Sequence, residues 1–255
     1  MKNPQKKHQV DVDGQKVAYT VTGGGRLTIV LINGLGAPLS AWNDLYPEIE
    51  KLGTVVAYDR LGVGGSSLPL VPQTGAVVVR LLRRLLSEIG GGGPYILVGH
   101  SFGGLYANLF ARLYPNDVAG VVLLEATAPE DVSMMKLHQG KVSRALNAML
   151  SFFARPNPNS ELSNEAATVA QLFAAPAFPP VPLCVVSGGK VPPAWLAAPV
   201  AIRLRAENQA SLALLSSQGR RVIAPDSGHF PQISEPALVV SAIAQVVSAA
   251  SILTP

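Results

Sequence analysis

Ser101 stands out for the residues around it. It lies in Gly99-His100-Ser101-Phe102-Gly103-Gly104, behind an apolar run at 95–98 and ahead of a helical pattern at 104–114. A serine hydroxyl is barely ionised at neutral pH, so it becomes a nucleophile only beside a base. G-x-S-x-G between a strand and a helix prepares the rest: a sharp turn lifts the serine clear, and small residues two positions to either side make room for it. The chemistry this suits is acyl transfer through a covalent serine ester.

The base must be one of four histidines. His8 lies in a charged N-terminal tail, and His138 falls in the segment 126–180. His100 is read as pointing away from its neighbour Ser101. His229 sits in Pro225-Asp226-Ser227-Gly228-His229-Phe230, after the last apolar run and before the last helical pattern. Such loops, at the carboxyl edge of an α/β sheet, collect functional groups. His229 also follows the serine in chain order, as this arrangement requires, so it is the expected base.

An oxyanion needs N–H groups aimed at it. Phe102, the residue after the nucleophile, offers one. Leu35, in Leu31-Ile32-Asn33-Gly34-Leu35-Gly36, offers the other. The acid that orients His229 should stand at a further strand end. The loop Ser187-Gly188-Gly189-Lys190-Val191-Pro192 holds no carboxylate, whereas Glu125 directly follows the run 120–124. Glu125 is therefore the expected acid, with Glu130, Asp131 and Asp226 as alternatives. Glu207 reads instead as a carboxylate at a helix start, complementing its dipole.

Positioning these groups requires a sheet. Apolar runs at 27–32, 54–58, 95–98, 120–124, 182–186 and 221–224 are continuous rather than alternating, as in strands buried on both faces. Helical patterns fill 41–52, 75–89, 104–114, 205–217 and 236–251 between and after them. An alternating segment around Asp13-Gly14 reads as a hairpin. The rhythm predicts a single α/β domain over residues 1–255, with a mostly parallel central sheet flanked by helices. Only 126–180 breaks it: helical patterns at 133–153 and 163–174, with prolines between and after them, read as a small helical cap inserted in the domain.

Composition narrows the function further. Charged residues are 14% and hydrophobic ones 48%, which excludes a disordered chain. One cysteine excludes a disulfide framework or a cysteine metal cluster. No cofactor or metal is expected. The net charge of +4 has no basic stripe with interleaved aromatics, so no nucleic-acid partner is expected. The uncharged stretch 237–253 carries four Ser or Gln residues and reads as a buried helix rather than a stable membrane span. The N-terminus has no apolar run behind its charges, unlike a secretory signal, and the expected location is cytoplasmic. Oligomeric state is left open.

Four motifs in order resemble the α/β-hydrolase fold superfamily, in its esterase, lipase and haloperoxidase-like branch. They are Asn33-Gly34-Leu35-Gly36, Asp59-Arg60-Leu61-Gly62-Val63-Gly64-Gly65-Ser66, the segment around Ser101, and Ser227-Gly228-His229-Phe230. The resemblance implies that fold, with Ser101 as nucleophile and His229 as base. It implies a structural role for Asp59 and Arg60, which shape a turn near the site. Serine at 101 departs from the dehalogenases and epoxide hydrolases, which use aspartate there. Many members carry the acid after the penultimate strand, where this chain has none; others carry it where Glu125 stands. Asn33 replaces the histidine most members have before the glycine. The expected substrate is a small carboxylic ester with short to medium apolar groups, suited by Met134, Met135, Met149, Phe152 and Phe153 in the cap. Alternatives are a lactone, amide or C–C bond at the same site, or a slow-turnover binding homologue.

Overall fold

A computed structural model describes residues 6–132, 157–191 and 199–253. Its strands are β1 (His8–Val12), β2 (Gln15–Gly23), β3 (Thr28–Ile32), β4 (Thr54–Tyr58), β5 (Tyr95–His100), β6 (Val118–Leu124), β7 (Leu183–Gly188) and β8 (Gly219–Ala224). They form one sheet in the order β1-β2-β4-β3-β5-β6-β7-β8. β3 to β8 run parallel, while β1 and β2 form an antiparallel edge. Asp13 (φ +53°) and Gly14 (φ +77°) supply the left-handed pair that a two-residue hairpin turn requires.

The helices are α1 (Tyr46–Ile49), α2 (Gly75–Glu88), α3 (Gly103–Leu113), α4 (Glu165–Ala174), α5 (Pro199–Ala213), α6 (Pro231–Ser234) and α7 (Pro236–Leu253). Two apolar layers sandwich the sheet. Val30 and Ile32 of β3 point into the layer with α2, α3, α4 and α5, and Ile29 and Leu31 into the layer with α1 and α7. Successive side chains of a strand face opposite ways, so burial on both faces demands an unbroken apolar run. That is why the runs at 27–32, 54–58, 95–98, 120–124 and 182–186 are strands; the run at 221–224 is also a strand, but as β8 it lies at the sheet edge with Ile223 exposed rather than buried on both faces.

The apolar C-terminal stretch has an equally local cause. Val239, Ala242, Ile243, Val246 and Ala250 recur at helical spacing along α7 and pack under the sheet. Among the described residues, no helix is long and apolar enough to cross a membrane.

Two expected helices differ. The pattern at 41–52 is a 3-10 turn at Leu39–Trp42 followed by the single turn α1. Pro47 is tolerated only in a first turn, so the helix restarts around it. The helix expected from 205 begins at Pro199, where proline suits a first turn, and ends at Ala213. Arg205 is thereby in the body of α5 rather than at its start. Of the segment expected as a cap, α4 packs on α2 and α3. The pattern at 133–153, with His138 and the Met and Phe residues named above, lies outside the described residues.

Candidate active site

The carboxyl ends of β5 and β6 carry the first two groups. Ser101 follows β5 with φ +50°, and Glu125 follows β6 with φ +42°. Left-handed backbone is uncommon outside glycine, and here both residues are held in it by neighbouring strands. Ser101 N–H donates to the Leu124 carbonyl at 3.0 Å, and the Ser101 carbonyl accepts from Gly104 and Thr127 at 2.9 Å each. Glu125 N–H donates to the Val186 carbonyl at 2.8 Å. Gly103 is required by crowding: a Cβ there would press on the carbonyl oxygens of Ile32 and Asn33.

His229 arrives on the loop between β8 and α6. Its Nε2 lies 2.9 Å from Ser101 Oγ, and its Nδ1 lies 3.6 Å from Glu125 Oε2. The loop is tied down by Glu235, whose Oε2 accepts from Asp226 N–H at 2.9 Å and Ser227 Oγ at 2.6 Å. Ser101, His229 and Glu125 thus come together from three strand ends. The other carboxylates do not join them. Glu130 and Asp226 are exposed, and among the described residues neither bonds His229. Asp131 is taken up by Ala128 N–H at 2.9 Å and by Arg205 Nη1 at 3.0 Å.

Glu125 is buried and fully partnered. Gly188 N–H donates to its Oε1 at 2.7 Å, and Arg205 Nη2 to its Oε2 at 2.8 Å. Burial works to raise its pKa, but His229, the Arg205 guanidinium and Gly188 N–H together pull it down to about 2. The carboxylate is therefore charged at any working pH.

Phe102 follows Ser101 in the chain, and Leu35 follows Gly34. A Cβ on Gly34 would lie 3.3 Å from Ser101 Cβ and 3.1 Å from His100 Nδ1, so the Gly34 loop abuts Ser101. Among the described residues, neither Leu35 N–H nor Phe102 N–H has an acceptor. Both N–H groups are thus left without a protein acceptor in this part of the structure.

Three contributors escape sequence reasoning. His100 does not simply turn away: its Nε2 lies 2.9 Å from the His229 carbonyl oxygen, and its ring packs against His229 at 5.1 Å. A carbonyl only accepts, so Nε2 carries the proton. Burial lowers the His100 pKa to about 4, with the His229 carbonyl opposing. Arg205, Asn208 and Gln209 share one face of α5 and bond Glu125, Asp131 and the Ala126 carbonyl. Asp59 does shape its turn, accepting from Leu39 N–H at 2.6 Å and Gly65 N–H at 2.8 Å. Arg60 does something else: it reaches across to the Gly34 loop and pairs with Glu161. Its motif pointed to a turn near the site but not to either of these partners.

Among the described residues, no group of three or more His, Cys, Asp or Glu could hold a metal ion. Residues 29–242 match the model of the alpha/beta hydrolase family. The chain is 31% identical over 130 residues to the uncharacterized protein YbdG of Bacillus subtilis, a stretch covering 50% of this chain and 40% of that one. It is 35% identical over 133 residues to a poly(3-hydroxyalkanoate) depolymerase of Ectopseudomonas oleovorans, covering 50% and 46%. These matches span less than half the length of either relative. A thermophilic esterase from Thermogutta terrifontis shares the fold, with a TM-score of 0.68, 21% identity, and coverage of 96% of this chain and 99% of that one.

Proposed function

The chain belongs to the alpha/beta hydrolase family, and from that premise we propose that it is a serine hydrolase of carboxylic esters. The observation that carries this reading is the 2.9 Å approach of His229 Nε2 to Ser101 Oγ, with the Glu125 carboxylate behind the imidazole. Ser101 Oγ attacks the ester carbonyl while His229 takes its proton. The carbonyl electrons move onto oxygen, where Leu35 and Phe102 N–H groups receive the charge. Collapse expels the alcohol, protonated by His229, and leaves an acyl-serine. Water, deprotonated by the same imidazole, then releases the carboxylic acid and restores the hydroxyl. Glu125 holds the imidazolium in both halves without taking its proton. The preferred substrates are esters with short to medium apolar groups. Kinship with a polyester depolymerase supports an ester rather than an amide bond.

The test is hydrolysis of p-nitrophenyl esters of increasing chain length by wild type and Ser101→Ala, alongside amide and lactone panels. The variant should lose at least about a thousandfold in kcat. Undiminished turnover in the variant would sink the assignment.

A further inference from the structure

Arg60 and Glu161 form a buried ion pair, with side chains 3% and 5% exposed. Were the pair only a strut, the guanidinium would spend its donors on the carboxylate. Instead it divides them. Nε and Nη2 bond the two oxygens of Glu161, while Nη1 donates to the Asn33 carbonyl at 2.6 Å and Nη2 also donates to the Gly34 carbonyl at 2.7 Å. The Tyr106 ring packs on the guanidinium at 5.3 Å. This grip has a geometric consequence. In a trans peptide the carbonyl and the N–H of one unit point in opposite directions. The Gly34 carbonyl and the Leu35 N–H share one unit, and it is trans. By holding Gly34 O, Arg60 forces Leu35 N–H to face the other way, out of the buried pair, in a loop whose Gly34 abuts Ser101.

We propose that Arg60 is a positioning residue for the oxyanion hole, and that Glu161, 101 residues along the chain, fixes Arg60 in that task. The inference rests on the serine-hydrolase reading above and deepens it. Lysine could neutralise Glu161 equally well, but it lacks the planar fork needed to hold two carbonyls and a carboxylate together.

The decisive variant is the double substitution Arg60→Met with Glu161→Leu. Replacing both members of a buried pair by apolar residues is often tolerated, whereas removing one leaves an unpaired charge. The double variant strips the Asn33 and Gly34 carbonyls of their donor and should lose some Tm while still folding cooperatively, and it should lose kcat on p-nitrophenyl butyrate by roughly ten- to a hundredfold at unchanged KM. Affinity for a trifluoromethyl ketone, which mimics the oxyanion, should fall by the same factor, while butyrate affinity stays constant. Arg60→Lys should show the same split and decides the matter if the double variant does not fold. A wild-type kcat in either folded variant overturns the inference. Ser101→Ala, run in parallel, separates the two claims: if it is inactive while Arg60→Lys is at full speed, only the role of Arg60 fails.

Discussion

Arg205 stands closer to Glu125 than His229 does. One carboxylate oxygen, Oε2, lies 2.8 Å from Arg205 Nη2 and 3.6 Å from His229 Nδ1. The arginine also bonds Asp131, so it is the counter-charge for two carboxylates at once. A carboxylate stabilises an imidazolium by its negative charge, and a guanidinium on the same oxygen offsets part of that effect.

Arg205→Met therefore leaves the Glu125 charge uncompensated behind His229. The acid limb of kcat/KM should move to higher pH by roughly half to one unit. A full pH–rate profile checks this. An acid limb that stays in place while overall activity drops would mean that Arg205 serves only to brace α5.

Two buried groups make the fold acid-sensitive in separate windows. His100 titrates near 4 rather than its ordinary 6.5, so the unfolded chain binds the proton first as pH falls from 6.5 toward 4. Glu125 titrates near 2 rather than 4.5, so its stabilisation is complete above 4.5 and is lost as pH falls toward 2. Each shift corresponds to something on the order of 3 kcal/mol. Urea midpoints measured against pH should show His100→Gln flattening the curve between 6.5 and 4, and Glu125→Gln flattening it between 4.5 and 2. Variant curves parallel to wild type in those windows would contradict the assignment.

The Gly34 loop tests how closely the proposed oxyanion donors are set. A methyl group at Gly34 would come within 3.1 Å of His100 Nδ1 and 3.3 Å of Ser101 Cβ. Both neighbours must then give by a few tenths of an ångström. Gly34→Ala should cost roughly tenfold in kcat, with only a modest loss of thermal stability because the displacement needed is a few tenths of an ångström. Equal turnover in the two proteins would show that the loop is looser than its packing implies.

The legibility of these groups followed the range over which each is defined. Ser101 and its elbow are written within six consecutive residues, and His229 emerged because only four histidines compete. Glu125 was reached through a strand end and an empty neighbouring loop. β3 to β7 were readable because burial on two faces forces continuous apolar runs. By contrast, Arg205 meets Glu125 across 80 residues, Arg60 meets Glu161 across 101, and His100 meets His229 across 129. No spacing rule reaches that far: these partners exist only once the sheet brings strand ends together. The contact of His100 with His229 went unread because strand alternation describes direction at one residue and is silent about a loop arriving from elsewhere. The helix expected over 41–52 overran because apolar periodicity outvoted Pro47.

The left-handed backbone at Ser101 and Glu125 sets stability against chemistry. Each non-glycine residue in that region costs on the order of 1 kcal/mol or more, a cost glycine would not carry. Ser101 and Glu125 therefore both occupy backbone that glycine would adopt at lower cost. A thermostability screen blind to turnover would drift toward glycine at 101, whereas at 125 the carboxylate's bonds to Gly188 N–H and Arg205 oppose that drift. Any campaign to harden this scaffold has to hold positions 101 and 125 constant and look for its gains elsewhere.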